Sequence, residues 1–200
     1  MNELEKMLRG EIAVDGAEAA AERFAERAAA EGLLDVAYAL VDSPLGTLLA
    51  AQTKRGLVEL AYADDEADRL LAELSARVSP RVLEAPAKLD EVRRQLDQYF
   101  EGKRTEFDMP IDWSLSRGFT QRILQATAKV PFGQLATYRE MATKAGNERA
   151  VRAAGNALGS NHLPIIVPCH RVIRTGGSLG GYTGGLERKE FLLKLEGVIL

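Results

Sequence analysis

The chain's one cysteine, Cys169, stands directly before one of its two histidines, His170, in the segment LPIIVPCHRVI. A thiol attacks as thiolate, and a free thiol is only slightly ionised at neutral pH. A nucleophilic role therefore requires a base, and the base requires a group that orients it. His170 is the adjacent base. Neighbours on an extended strand point to opposite faces, so coupling the two needs a turn at Pro168-Cys169-His170 or a bridging water. Glu196 is the candidate acid. It ends the last helical stretch, LERKEFLLKLEG, where the helix dipole disfavours a carboxylate, so a cationic or proton-donating partner is expected. A Cys–His–Glu relay is thus available, one in which the imidazole holds the sulfur ionised. The alternative stays open on spacing alone: Cys169 as a small buried apolar side chain, the commoner fate of a lone cysteine, and His170 as a hydrogen-bonded structural residue.

The elements that must position these groups divide into two parts. Residues 3–31 are rich in Ala and Glu, with Leu4, Met7 and Leu8 on one face, and read as one or two helices ending at Gly32. From Asp35, three short strand-like runs broken by Ser43-Pro44, Gly46 and Lys54-Arg55-Gly56 suggest an antiparallel meander. Helices are expected at about 65–77 and 87–100. The polar connector FEGKRTEFDMPIDWSLSRG then marks a boundary near residue 114.

Beyond the connector the pattern is mainly helical. Phe119, Ile123, Ala126 and Val130 fall at helical spacing, up to a stop at Pro131-Phe132-Gly133. Thr137 and Glu140 make a capping box ahead of a helix over 138–145. Gly146 closes it, and Asn147 is placed to cap a helix over 148–158 that Gly159 ends. Two short helices around a tight turn are a helix-turn-helix candidate, with Arg149 and Arg152 on the second. The run RTGGSLGGYTGG holds six glycines in twelve residues, a loop able to approach a ligand closely or simply a flexible connector.

Charge separates along the same line. Residues 1–113 carry 14 Lys and Arg against 24 Asp and Glu, a net −10, whereas residues 114–200 carry 12 against 5, a net +7. A basic half joined to an acidic one suggests a polyanionic partner for the basic half, although small domains also differ in charge by chance. No apolar run is long enough to span a membrane, and the charged N-terminus lacks an apolar signal core. A cytoplasmic location is expected, beside the nucleoid if the source is bacterial.

The run PCHRVI, followed by GGYTGGLERKEFLLKLEG and preceded by VPFGQLATYREMATKAGNERAVRAAGNALGSNHLPIIV, strongly resembles the O6-alkylguanine-DNA alkyltransferases, the methylated-DNA–protein-cysteine methyltransferases. The resemblance is near-continuous from about 119 to 197, extends more weakly over 35–113 and leaves out 1–34. It implies an α/β (α+β) chain, with a small RNase H-like α/β domain at 35–113 and a helical, winged-helix-like domain at 114–200; the helical stretch at 1–34 is then an N-terminal extension ahead of both. The domain at 114–200 would carry the helix-turn-helix and the active-site loop, bind DNA and accept the alkyl group.

What the resemblance implies for individual residues is specific. Cys169 would take the alkyl group from O6 of guanine, with His170 as base through a water and Glu196 orienting it. Asn161 would stabilise the turn joining the helix-turn-helix to the active-site segment. Tyr138 would help to rotate the nucleotide out and protonate the departing guanine. Arg152 would enter the duplex and fill the vacated stack, with the small residues Ala153 and Gly155 facing the minor groove. Pro164 and Tyr182 would wall the base pocket, the backbone amide at Thr183 would reach O6, and the carbonyl of Val172 would accept from the guanine amino group. Val151 and His162 depart from the family pattern, which expects Ala and Pro there, and His162 is given no catalytic role.

The implied reaction is an in-line displacement at carbon by thiolate, giving a thioether that water does not readily cleave. With no second thiol to reset the nucleophile, one molecule repairs one lesion. No cofactor is implied, and no metal: residues 1–113 contain neither Cys nor His, so the zinc of some relatives has no ligands there. The implied partner is double-stranded DNA carrying O6-alkylguanine, met through the minor groove by a monomer, with O4-alkylthymine and cooperative loading left open. Three other readings compete: a thiol hydrolase that turns over repeatedly, a helix-turn-helix regulator that binds DNA without chemistry, and a globular domain with an inert buried thiol.

Overall fold

Residues 15–64 and 66–198 are described by the computed structural model. The expected helical face of Leu4, Met7 and Leu8 lies outside them. Helix α1 spans Asp15–Ala30, ends just before Gly32 at φ +70°, and packs against the edge of a four-stranded sheet. Strands β1 (Val36–Val41), β2 (Leu48–Thr53) and β3 (Gly56–Tyr62) form the expected antiparallel meander. A fourth strand, β4 (Val82–Glu84), joins parallel to β1, so the order is β3-β2-β1-β4. Three residues are too few to show an alternating pattern, and β4 left no mark in the sequence reading.

Both faces of this sheet are covered, which explains why β2 is apolar through Leu48, Leu49, Ala50 and Ala51. Successive side chains point to opposite faces. Leu49 and Ala51 meet Leu70 and Leu74 of helix α2 (Ala67–Arg77) in a small cluster. Leu48 and Ala50 face the other way, toward Val92, Leu96 and Tyr99 of helix α3 (Asp90–Phe100). That second cluster continues without a break into Ile123, Met141, Ala154 and Val167, so the sheet part and the helical part share one core.

The connector is fastened to the sheet. Leu57 N donates to Pro110 O at 2.9 Å and Asp112 N donates to Leu57 O at 2.8 Å. Gly56, at φ +130°, lets this happen, because a Cβ there would collide with the Pro110 backbone. Asp112 then accepts from Thr53 Oγ1 at 2.6 Å and Arg55 Nε at 3.0 Å. The helical part thus starts from a fixed point.

It consists of α4 (Gly118–Thr127), β5 (Ala136–Thr137), α5 (Tyr138–Lys144), α6 (Val151–Gly159), β6 (Val172–Ile173) and α7 (Leu186–Leu195). The capping box forms as expected: Thr137 Oγ1 accepts from Glu140 N at 3.2 Å, and the Glu140 carboxylate accepts from Thr137 N at 2.6 Å. Two boundaries differ. Helix α4 stops at Thr127, and Lys129 N and Val130 N bond three residues back, to Ala126 O and Thr127 O, so the chain tightens instead of running on as a helix to Pro131. Helix α6 begins at Val151 instead of 148, because Asn147 closes a turn of its own. Its Oδ1 accepts from Arg149 N at 3.2 Å and its carbonyl from Ala150 N at 3.1 Å. Helices α5 and α6 pack on each other across this turn.

Candidate active site

The nucleophile segment is set by the end of α6. Asn161, buried just past that helix, accepts from Leu163 N at 3.0 Å and donates from Nδ2 to Val167 O at 2.9 Å. The enclosed chain is tight. Ile165, fully buried and β-branched, is held at φ +74°, a conformation that costs a residue of this type about 1–3 kcal/mol. Residues Cys169–Arg171 then form a single 3-10 turn, closed by Arg171 N donating to Pro168 O at 2.9 Å. This is the turn that coupling of adjacent residues required. Cys169 lines a cavity, His170 points into the protein interior, and the two side chains make no direct hydrogen bond.

His170 is fully buried, with Nε2 2.9 Å from Glu196 Oε1. Glu196 also accepts from Tyr99 OH at 2.6 Å, from Arg171 Nε and Nη2 at 2.8 Å each, and from Gly133 N at 3.4 Å. The partner that its position in the helix called for is therefore fourfold: three side chains, from His170, Tyr99 and Arg171, and the Gly133 amide. Burial alone would raise this carboxyl, but the hydrogen bonds from His170 and Arg171 outweigh it and hold Glu196 down at about 2. An ionised Glu196 can only accept, so the proton of neutral His170 sits on Nε2. That leaves Nδ1, buried and without a protein partner, as the free lone pair.

Electrostatics at Cys169 run against a standing thiolate. Burial pushes the thiol up to about 11, although the Asn161 side chain 3.1 Å from Sγ and the nearby Lys189 charge pull the other way. Burial likewise lowers His170, opposed by Glu196. The resting groups are thiol, neutral imidazole and carboxylate, which corrects the expectation of a sulfur held ionised.

The cavity that Cys169 faces has a volume of about 610 Å³. Its wall includes Tyr138, Val151, Arg152, Gly155, Arg174, Gly181, Tyr182 and Thr183. Tyr138 opens α5, and its phenol is raised by burial and by the neighbouring Cys169. Gly155 passes beneath the Tyr138 ring, and Gly180, at φ +70°, lies so near it that a Cβ would come within 2.6 Å of the hydroxyl. Arg152 stands exposed at the rim, and Val151, the bulkier departure, is half-buried in the wall. The Tyr182 ring lies edge-on to His170, and its hydroxyl is 2.8 Å from that of Tyr62, at the end of β3.

Not every expected residue joins the cavity. Ala153 is exposed on α6 but outside the wall. Pro164 lines a separate cleft with Glu59 and His162, because the tight 161–169 loop turns it toward the sheet and away from Cys169. His162 sits in the same cleft, its Nδ1 3.4 Å from Glu59 and its Nε2 3.3 Å from Arg77. Val172 is fully buried, and its carbonyl accepts from Lys189 Nζ at 2.7 Å. Its expected availability to a ligand is thereby reduced to one lone pair.

Four participants escaped the sequence reading: Tyr99, Arg171, Lys189 and Tyr62. Lys189 carried a signal, since Lys189, Leu192, Leu193 and Glu196 recur at the spacing of one helix face, and a lysine on a buried face invites a polar partner. It is fully buried, lowered to about 8 by that burial, and donates also to Leu179 O at 2.5 Å, tying the middle of the glycine-rich loop to β6. Tyr99 and Tyr62 carried none, since nothing local announces partners 97 and 120 residues away.

Comparison with known proteins matches the chain from residue 36 onward and leaves out helix α1. Residues 36–113 match the family described as 6-O-methylguanine DNA methyltransferase, ribonuclease-like domain. Residues 118–198 match 6-O-methylguanine DNA methyltransferase, DNA binding domain. The chain is 38% identical over 159 residues to a methylated-DNA–protein-cysteine methyltransferase of Methanosarcina barkeri, an alignment covering 80% of this chain and 96% of that one. It is equally 38% identical over 161 residues to the protein of that name from Mycolicibacterium paratuberculosis, covering 80% and 92%. Among solved structures, Mycobacterium tuberculosis OGT in complex with DNA is similar at a TM-score of 0.68 and 38% identity, over 80% of this chain and 92% of that one.

Proposed function

Because this chain belongs to the methylated-DNA–protein-cysteine methyltransferase family, we infer that it repairs DNA by direct reversal, moving an alkyl group from the damaged base onto Cys169. It binds DNA, and its one cysteine is the acceptor. The finer reading is that the substrate is O6-alkylguanine in duplex DNA, met through the minor groove by a monomer. Residues 114–200 would do this work, with 35–113 as a supporting α/β domain and 1–34 as an extension. The observation that carries it is the pairing of a cavity-facing Cys169 with a His170 whose Nδ1 is kept free by Glu196.

The steps follow from these positions. A methyl on O6 sits at the edge of a stacked base, where the recessed Cys169 sulfur cannot meet it in line, so the nucleotide must be everted, at a cost of a few kcal/mol. Arg152, exposed at the cavity rim, fills the gap, while the basic half of the chain neutralises phosphates. A water between Cys169 Sγ and His170 Nδ1 carries the thiol proton to the imidazole, and Glu196 stabilises the imidazolium. The sulfur attacks the alkyl carbon in line, the carbon–O6 bond breaks, and its electron pair stays with the purine. Tyr138 donates a proton to guanine N3, and the proton gained by His170 returns through solvent to replace it. The N3 proton then passes through solvent to N1, and the products are an S-alkyl cysteine and guanine in its ordinary form.

The test is a titration. Protein is added in steps to a duplex carrying one O6-methylguanine, and restored guanine is counted by nucleoside chromatography. One guanine per protein molecule, and none with Cys169→Ser, is expected. Repeated turnover would contradict the proposal and favour a thiol hydrolase. DNA binding without restored guanine would favour a regulator or lesion sensor.

A further inference from the structure

The relay does not end within the helical part of the chain. Glu196 Oε1, the oxygen that holds His170 Nε2 at 2.9 Å, also accepts from Tyr99 OH at 2.6 Å. Tyr99 belongs to α3, the last helix of the sheet part. Its side chain is wholly buried and wedged by three rings, Phe100, Phe107 and Phe132, with centroids 5.4, 5.3 and 6.2 Å away. The hydroxyl is thus aimed by packing.

We propose that Tyr99 is a positioning residue for alkyl transfer: by occupying Glu196 Oε1, it limits how strongly that oxygen holds His170 and so sets the pH range over which His170 is an unprotonated base. A carboxylate oxygen shares its negative charge among the donors it accepts. Arg171 Nη2 takes a further share of Oε1 at 2.8 Å, while its Nε and Gly133 N occupy Oε2. Tyr99, His170 and Glu196 are all buried, so bulk solvent does not take the place of a donor lost at Oε1. Without the Tyr99 hydroxyl, Oε1 would bind an imidazolium more tightly, and His170 would take up its proton at higher pH.

The other groups facing His170 leave this direction intact. Arg171 from the 3-10 turn and Lys189 from α7 are cations that oppose its protonation, and the Tyr182 edge from the glycine-rich loop carries no charge. The Tyr99 phenol is raised well above its ordinary range by burial and by Glu196, so it stays a donor throughout the working range. The sheet part therefore supplies one member of the hydrogen-bonded system that tunes the base.

The rate readout rests on the alkyl-transfer reading; a second readout does not. Single-turnover methyl transfer is followed against pH for the parent protein, for Tyr99→Phe, and for protein with 3-fluorotyrosine at position 99. In parallel, the ring nitrogens and carbon-bound protons of His170 are titrated by NMR. Tyr99→Phe is expected to move the acid-side midpoint up by about one pH unit, giving about a tenfold loss below it, while the plateau at higher pH changes less than about twofold. The fluorinated ring, a stronger donor of the same shape, is expected to move the midpoint down. The NMR midpoints should follow both shifts. Superimposable profiles for the three proteins, or an equal loss at every pH, would leave Tyr99 a packing residue and overturn the proposal. Should Tyr99→Phe not fold, the fluorotyrosine arm decides by the same sign. Failure of the parent protein to transfer methyl would refute the proposed function separately, with the NMR shift still deciding the role of Tyr99.

Discussion

Asn161 Nδ2 lies 3.1 Å from Cys169 Sγ while donating to Val167 O at 2.9 Å, so one buried amide both closes the active-site loop and supplies a polar neighbour to the sulfur. Replacing Asn161 with Ala leaves Leu163 N without its partner and removes one of the two donors to Val167 O, which keeps Cys169 N at 2.7 Å. A loss of about 1–3 kcal/mol in stability is expected by denaturant unfolding. Transfer should slow as well, because the strained turn at Ile165 that delivers Cys169 to the cavity loses its brace. Full activity in a destabilised Asn161→Ala protein would show that the amide serves folding alone.

Arg152 is exposed at the cavity rim, outside the hydrogen-bond system of Cys169, His170 and Glu196. Its expected task is to fill the gap left by an everted base. Arg152→Ala should therefore slow repair of duplex DNA far more than reaction with free O6-benzylguanine, which needs no eversion. Rate constants for the two substrates give the comparison. Equal slowing would assign Arg152 to the chemistry and remove the intercalating role.

Burial holds the Cys169 thiol at about 11, above its ordinary value near 9.0. Labelling by iodoacetamide in the absence of DNA should accordingly climb with pH from 7 to 9 without levelling. A plateau reached below pH 7 would mean a standing thiolate.

Glu196 is depressed from an ordinary 4.5 to about 2, so the folded protein binds its proton less tightly than the unfolded chain. Its contribution to stability is complete above pH 4.5 and disappears as pH falls toward 2. The linkage amounts to on the order of 3 kcal/mol. Urea unfolding across that window should show the loss in the parent protein, and Glu196→Gln, less stable from the outset, should lack this component. An identical slope in both would place the acid sensitivity elsewhere.

Legibility in the sequence followed the range of the interactions. The meander, the capping box at Thr137 and Glu140, and the glycine that ends α1 depend on neighbours, and their residue types announce them. So does Glu196, whose awkward place at a helix end called for a partner. The start of α6 was misplaced because Asn147 serves equally well as a helix cap or as the first residue of a turn, and only packing against α5 selects the turn. Strand β4 was missed because three residues show no periodicity. The tertiary partners were the least visible. Tyr99 reads as one more apolar residue on a helix face with Val92 and Leu96, and only the shared core brings its hydroxyl to Glu196. The state of the sulfur was misjudged for a related reason, since spacing shows that a base is near but says nothing of the burial that opposes ionisation.

Alkyl transfer to Cys169 is tested most directly by weighing the product. The protein is mixed with an excess of duplex carrying a single O6-methylguanine, and the intact chain and its Cys169 peptide are examined by mass spectrometry. Transfer requires a gain of one methylene unit, located on Cys169, that stops at one per chain however much duplex remains. An unchanged mass alongside restored guanine, or a methyl on any other residue, would contradict it.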